Sequence, residues 1–282
     1  MIYPAMHSYS FRACFEKQPG FTIERALEMT AEMGFTGIEI MTGVAGKLEH
    51  IGTDTLDGLT RLGKRAKELG VRIHCYSTYN DFAFVKNDTW RQQNVEYIQK
   101  WLKLAGDTGV PNIRMLTGYY AQGEDRSRLD KLVVEGIRRC VPVAEACGVN
   151  MAIENHSSVF EYGKEIMELI QQVGSTRLTT CPDPSNGFKG FFQADCPQSE
   201  REAVYANLRL MAPKATNSHL KIKGIGAGDT LTAWDLDRLL GIYQAAGYNG
   251  PITFESIAEP DLLAPLAPAR VNVEKAIAKQ KA

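Results

Sequence analysis

Cys147-Gly148-Val149-Asn150-Met151-Ala152-Ile153-Glu154 joins a helix-like stretch to an apolar run through one glycine, and the run closes on a carboxylate. A glycine just past a helix end takes the left-handed backbone that stops the helix, so a strand can begin within a few residues. The order recurs toward the N-terminus. Met33-Gly34-Phe35 precedes Gly37-Ile38-Glu39-Ile40, Leu69-Gly70 precedes Val71-Arg72-Ile73-His74-Cys75, and Thr108-Gly109 precedes Asn112-Ile113-Arg114-Met115-Leu116. It recurs toward the C-terminus at Val173-Gly174 before Arg177 and at Ala246-Gly247 before Pro251. Helix, glycine and strand units in series predict a parallel sheet.

Eight strands are expected, near residues 4–10, 37–41, 71–77, 112–117, 149–155, 177–183, 215–221 and 251–255. Between them lie helical patterns such as Thr22 to Met33, with Ile23, Ala26, Leu27 and Met33 on one face, and Trp90 to Ala105, with Val95, Ile98, Leu102 and Leu104. Eight such units over residues 1–282 predict an α/β fold, a single (β/α)8 TIM barrel in one domain. Length alone also accommodates two small domains. A doubly wound open sheet has less support, because no Gly-x-Gly-x-x-Gly follows the first strand and no P-loop occurs.

Composition narrows the classes of function. The 282 residues are 44% hydrophobic and 23% charged with a net charge of −1, an ordinary globular balance. That charge gives no electrostatic reason to expect nucleic acid or an anionic membrane as partner. Short basic runs, Lys64-Arg65 and Arg138-Arg139, fall on expected helices and read as solvated faces. The cysteines at 14, 75, 140, 147, 181 and 196 form no Cys-x-x-Cys pair, which suggests neither a zinc ribbon nor a disulfide framework. Ile2-Tyr3-Pro4-Ala5-Met6 lacks the basic start and long apolar stretch of a signal peptide. No segment approaches the roughly 18 apolar residues of a membrane span. A reducing cytoplasm is the expected location.

Four potential ligands fall near the C-terminal ends of expected strands: Glu154, Asp183, His219 and Glu255. On a barrel that is the face where active sites are built. Side chains alternate along a strand, so Glu154 shares a face with His156, His219 with Lys221, Asp183 with Cys181, and Glu255 with Thr253. Taken singly, a strand-end Asp often caps the next helix and a lone His is more often structural. Taken together, carboxylates crowded at one mouth repel one another, and a cation resolves the conflict. Three oxygens and one nitrogen favour a hard to borderline ion such as Mn²⁺ or Mg²⁺.

Glu154-Asn155-His156, Cys181-Pro182-Asp183-Pro184-Ser185-Asn186, His219-Leu220-Lys221 and Thr253-Phe254-Glu255 resemble the metal-site segments of the xylose-isomerase-like TIM-barrel superfamily, which includes sugar phosphate isomerases and epimerases. The resemblance extends to Gly37-Ile38-Glu39 and Asn112-Ile113-Arg114, and so along essentially the whole chain. It implies that Glu154, Asp183, His219 and Glu255 bind one divalent ion, Mn²⁺ foremost, with Mg²⁺, Co²⁺ and Zn²⁺ as others. It implies a small carbohydrate substrate, a sugar, sugar phosphate or keto-sugar, and proton abstraction α to its carbonyl. In the ketose epimerases of the superfamily two metal-bound glutamates handle protons on opposite faces, and here these are Glu154 and Glu255.

Two segments depart from the ketose-epimerase pattern. Glu-Pro-x-Asn is replaced by Glu154-Asn155-His156-Ser157-Ser158, with Phe160 where a substrate-binding Glu is expected. His219 is followed by Leu220-Lys221-Ile222-Lys223 rather than by an Asp and an Arg. Glu-x-His together with Arg114 resembles instead the superfamily's dehydratases and lyases, such as 3-dehydroshikimate dehydratase. By that resemblance His156 is the base that starts a β-elimination, Arg114 an anion or hydroxyl clamp, and Lys221 an acid or substrate contact. Against it stands the reading of His156 as a group that only orients Glu154. Asn186 stands where the dehydroshikimate enzymes carry a His, and with His7 is a further candidate substrate contact.

Glu39 and His74 also lie on early strands, where core hydrogen bonding explains them equally well. Tyr119-Tyr120 and Asn186-Gly187-Phe188-Lys189-Gly190-Phe191-Phe192 fall in loops after strands four and six. They suit a sugar-stacking wall, a lid, or a contact with another subunit of a homo-oligomer. Endonuclease IV shares the superfamily's fold, but its three-zinc cluster needs more than the five histidines at 7, 50, 74, 156 and 219. A non-catalytic binding subunit is the other alternative, and loss of a ligand would have favoured it.

Overall fold

The computed structural model describes residues 1–44, 48–156, 159–226 and 231–280. Eight parallel strands form its centre: β1 (Tyr3–His7), β2 (Gly37–Val44), β3 (Arg72–Tyr79), β4 (Asn112–Met115), β5 (Asn150–Glu154), β6 (Leu178–Cys181), β7 (His219–Ile222) and β8 (Pro251–Ser256). Their order is β6-β5-β4-β3-β2-β1-β8-β7, so each strand pairs with its sequence neighbour and β1 also pairs with β8. The free edges meet as well. Thr180 bridges Ala215, the Thr216 amide donates to the Thr180 carbonyl at 3.1 Å, and the His219 amide to that of Pro182 at 2.9 Å. The sheet thereby curls into the expected (β/α)8 barrel.

Helices lie between successive strands: α1 (Arg12–Lys17), α2 (Ile23–Glu32), α3 (Leu56–Glu68), α4 (Asp88–Thr108), α5 (Arg126–Cys147), α6 (Gly163–Val173), α7 (Gln198–Met211), α8 (Leu236–Ala245) and, last, α9 (Leu266–Lys279). Their ends follow from local chemistry. Thr22 caps α2 through its side chain, and Gly148 stops α5 at φ 68°, a conformation that costs glycine nothing. The opening stretch therefore folds as read, helix to Cys147, glycine cap, and strand from Asn150. Strand faces away from the axis pack on apolar helix faces through fully buried Trp101, Tyr76, Phe35 and Phe254. Each such side chain contributes roughly 1.5–3 kcal/mol by leaving water.

Most strand ends fall within two residues of expectation; β2 runs on to Val44 instead of 41, and two further strands differ at one end. β1 stops at His7 instead of continuing to residue 10, because Ser8–Phe11 turns into a 3-10 helix whose Tyr9 amide donates to His7 Nδ1 at 3.0 Å. The regular ladder of β7 starts only at His219, since residues 215–218 bridge β6 and β8 irregularly before it. All six cysteines are free, and no helix among the described residues is long and apolar enough to cross a membrane.

Candidate metal centre and active site

Glu154 ends β5, His219 opens the ladder of β7, and Glu255 is the penultimate residue of β8. Asp183 lies two residues beyond β6, in a turn fixed by Asn155. That side chain accepts from the Asp183 amide at 2.8 Å and donates to its carbonyl at 2.9 Å. One ligand atom from each of the four lies within 4.8 Å of the others, and all four residues are buried. The sequence expected this quartet, and the barrel brings it together.

Donors crowd one half of the cluster. Arg114 Nε donates to Glu154 Oε2 at 2.5 Å, and Asn186 Nδ2 to Glu154 Oε1 at 3.1 Å. Lys221 Nζ donates to Asp183 Oδ2 at 2.5 Å and also to Asn186 Oδ1. Ser185 donates its amide and hydroxyl to Asp183 Oδ1 at 3.2 and 2.9 Å. Arg114 and Lys221 therefore each have a carboxylate as immediate partner. Burial would raise the Glu154 pKa, but the Arg114 guanidinium and the His219 ring hold it well below the usual carboxylate range.

The other half is short of donors. Glu255 accepts no hydrogen bond among the described residues, and its contact with His219 Nδ1 is 4.0 Å. That Nδ1 lies 3.3 Å from Glu154 Oε1 but lacks hydrogen-bond geometry, leaving a buried nitrogen without a partner among the described residues. Beneath it, His219 Nε2 faces Glu39 Oε2 at 3.0 Å. Four carboxylates, at 39, 154, 183 and 255, against Arg114 and Lys221 leave two negative charges over when His219 is neutral, and one when it is protonated. An orphaned imidazole nitrogen aimed at surplus carboxylates fits a divalent cation.

The remaining candidates separate. His156 lies in the turn after β5, half-buried, its ring 6.2 Å from Tyr79 in an edge-on arrangement. Its Nδ1 is buried without a partner among the described residues. Ser157 and Ser158 of the same motif lie outside the described residues. His7 lies below the mouth, 2% exposed, with Nε2 at 3.3 Å from Ser77 Oγ and 3.4 Å from Glu39 Oε1. His74 Nε2 is 3.2 Å from the Thr253 hydroxyl.

Among the loop aromatics, Tyr119 and Tyr120 are exposed. Phe191 is instead core, fully buried with its ring 4.5 Å from that of Trp234. Sequence reading gave no role to Asn217, Asn155 or Tyr79. Alternation with His219 is the signal that would have turned Asn217 inward.

The profile of the xylose isomerase-like TIM barrel family matches residues 27–280. The chain belongs to that family. No curated protein matches it. Among solved structures, L-ribulose 3-epimerase superposes with a TM-score of 0.73 at 19% identity, covering 100% of this chain and 97% of that one. The 3-keto-D-glucoside 4-epimerase of E. coli gives 0.67 at 16%, covering 100% and 99%. A xylose isomerase-like TIM barrel protein of Mycobacterium smegmatis, in complex with magnesium, gives 0.70 at 14%, covering 99% and 98%. Identities this low establish the shared barrel.

Proposed function

We propose that this chain is a divalent-metal-dependent sugar epimerase or isomerase that removes a proton α to a carbonyl. The observation that carries the reading is the convergence of Glu154, Asp183, His219 and Glu255 within 4.8 Å, with His219 Nδ1 unpaired among them. The likeness to L-ribulose 3-epimerase and 3-keto-D-glucoside 4-epimerase supports the sugar class. Mn²⁺ is the foremost candidate, with Mg²⁺, Co²⁺ or Zn²⁺ as alternatives. Such an ion supplies Lewis acidity that lowers the cost of negative charge on oxygen beside the reacting carbon.

The protein's own groups then divide the proton work. Glu255, without a donor among the described residues, takes the proton from one face. The resemblance to the ketose epimerases assigns return on the opposite face to Glu154, which must enter that step protonated, against the pull of Arg114 toward its ionised form. Return to the same carbon epimerises and return to its neighbour isomerises. Asn186 and Lys221, at the mouth, are the proposed substrate contacts. Because the buried cations Arg114 and Lys221 are already committed to carboxylates, an uncharged sugar or keto-sugar suits the site better than a phosphate ester.

One observation favours a second reading. His156 Nδ1 is buried without a partner among the described residues, as a base awaiting a substrate proton would be. In that reading the chain is a lyase that β-eliminates from a keto-sugar or a dehydroshikimate-like substrate.

The test is a panel of ketoses, keto-sugars and 3-dehydroshikimate, followed by NMR in D₂O with Mn²⁺ and with a chelator. Solvent deuterium in a rearranged sugar is the expected result, and a new enone signal would instead select the lyase. Turnover indifferent to chelation, or no stoichiometric metal in the purified protein, sinks both. If His156 is the base, His156→Ala keeps its metal and loses roughly 10²–10⁴-fold in kcat, the size of a general-base contribution. Full activity in that variant leaves His156 a structural group.

A further inference from the structure

A second tier of polar groups lies directly under the quartet, and the proton transfers proposed above do not use it. At its centre is Glu39, the third residue of β2, fully buried. A carboxylate in such a place is costly unless donors surround it. Two donors reach its Oε2 here, and the His7 ring stands beside its Oε1. Asn217 Nδ2 donates to Oε2 at 2.6 Å, which turns Asn217 Oδ1 toward the Thr253 hydroxyl at 3.3 Å. His7 accepts from the Tyr9 amide through Nδ1, so the proton of its neutral ring sits on Nε2, which donates to Ser77 Oγ at 3.3 Å and lies 3.4 Å from Glu39 Oε1 without hydrogen-bond geometry. His219 Nε2 is the second donor to Oε2, at 3.0 Å.

A ring nitrogen hydrogen-bonded to a carboxylate carries a proton, as Nε2 does toward Glu39, whereas Nδ1 lacks hydrogen-bond geometry to Glu154. The neutral His219 ring therefore bears its lone pair on Nδ1, the atom turned toward Glu154 and Glu255. We propose that Glu39 is a positioning residue, which holds the rotation of the His219 ring and the proton on Nε2 so that Nδ1 is offered to a divalent ion at the mouth. The inference rests on the metal dependence proposed above and adds a residue that does not itself touch metal or substrate. A carboxylate that orients a ligating imidazole through its other nitrogen also raises the basicity of the ligand.

The test uses the full chain and Mn²⁺ titrated calorimetrically. Glu39→Ala should bind Mn²⁺ roughly 10–100-fold more weakly than wild type, the cost of losing such an outer partner. Glu39→Gln should recover most of that loss. Its amide oxygen still accepts from His219 Nε2, while the amide nitrogen faces His7, which keeps Ser77 Oγ as acceptor. A role confined to packing would not distinguish the two variants in metal affinity.

Two-bond ¹H–¹⁵N spectra of Zn²⁺-loaded wild type should place the remaining ring proton of His219 on Nε2. This measurement decides the matter even where Glu39→Ala fails to fold. A proton on Nδ1, or equal Mn²⁺ affinity in wild type and Glu39→Ala, overturns the positioning role alone. A wild-type chain that binds no divalent ion overturns this inference and the proposed function together.

Discussion

The two halves of the mouth are built on opposite terms. On the β5–β6 side every carboxylate oxygen is tied, Glu154 to Arg114 and Asn186, and Asp183 to Lys221 and Ser185. On the β7–β8 side His219 Nδ1 and Glu255 face each other at 4.0 Å, and neither has a hydrogen-bond partner among the described residues. A saturated half contributes rigidity, because its charges are already satisfied. An unsatisfied half contributes affinity for whatever cation completes it. Metal binding and fold stability should therefore respond to different residues within the same cluster.

The sharpest way to break that division is Arg114→Met. Methionine fills much of the space but leaves Glu154 fully buried without its main counter-charge, and also strips the Thr78 carbonyl of its donor. Removing one partner of a buried pair costs about 3–5 kcal/mol. Urea denaturation of the metal-free protein should show that loss, with part of it regained when Mn²⁺ is added. A variant as stable as wild type would mean that the β5–β6 half is not held by its ion pairs.

The complementary substitution is Glu255→Gln on the open half. Removing this charge relieves repulsion with Glu154 but forfeits attraction to Lys221, His7 and His219, which against the effect of burial together hold the Glu255 carboxyl below its usual value. Stability without metal should therefore fall by about 1 kcal/mol, well short of the loss in Arg114→Met. Mn²⁺ affinity should nevertheless fall by more than the roughly 10–100-fold that an outer partner is worth. Unchanged affinity measured by equilibrium dialysis would remove Glu255 from the ligand set.

The sequence revealed these halves unequally, for physical reasons. A glycine such as Gly148 acts through its own backbone, and a carboxylate at a strand end such as Glu154 acts through its position, so barrel and quartet were both legible locally. What ties them together is long-range. Arg114 finds Glu154 40 residues away, and Asn217 finds Glu39 across 178, through a register of strands that no local pattern encodes. Arg114 consequently read as an anion or hydroxyl clamp and Lys221 as an acid or substrate contact, with no sign of the carboxylate that the fold places beside each. Phe191 read as a rim aromatic for the same reason, since the Trp234 ring it packs on lies after the next strand. The early end of β1 did have a local cause, the capping of Tyr9 by His7, but a histidine is not among the residues that announce a cap.

Two buried histidines outside the halves, His50 and His74, have their pKa lowered to about 4, chiefly by burial, and His50 is the more readily replaced. Its ring stacks on Phe15 with centroids 4.1 Å apart, and its Nδ1 lies 3.0 Å from the Ser8 hydroxyl. Burial, and to a smaller extent His7 and Arg12, lowers its pKa to about 4, from 6.5 in the unfolded chain. The unfolded chain therefore takes up a proton below pH 6.5 that the folded protein refuses until about pH 4. The stability this confers is complete above pH 6.5 and is lost as pH falls to 4, with a ceiling of about 3 kcal/mol. His50→Phe keeps an aromatic ring against Phe15 and removes the titration, at a cost of about 1 kcal/mol at pH 8 for the Ser8 hydrogen bond. Its denaturation midpoint should then decline less steeply than that of wild type between pH 6.5 and 4. Parallel profiles would mean that His50 does not set the acid sensitivity of the fold, and would assign it to His74 and the site instead.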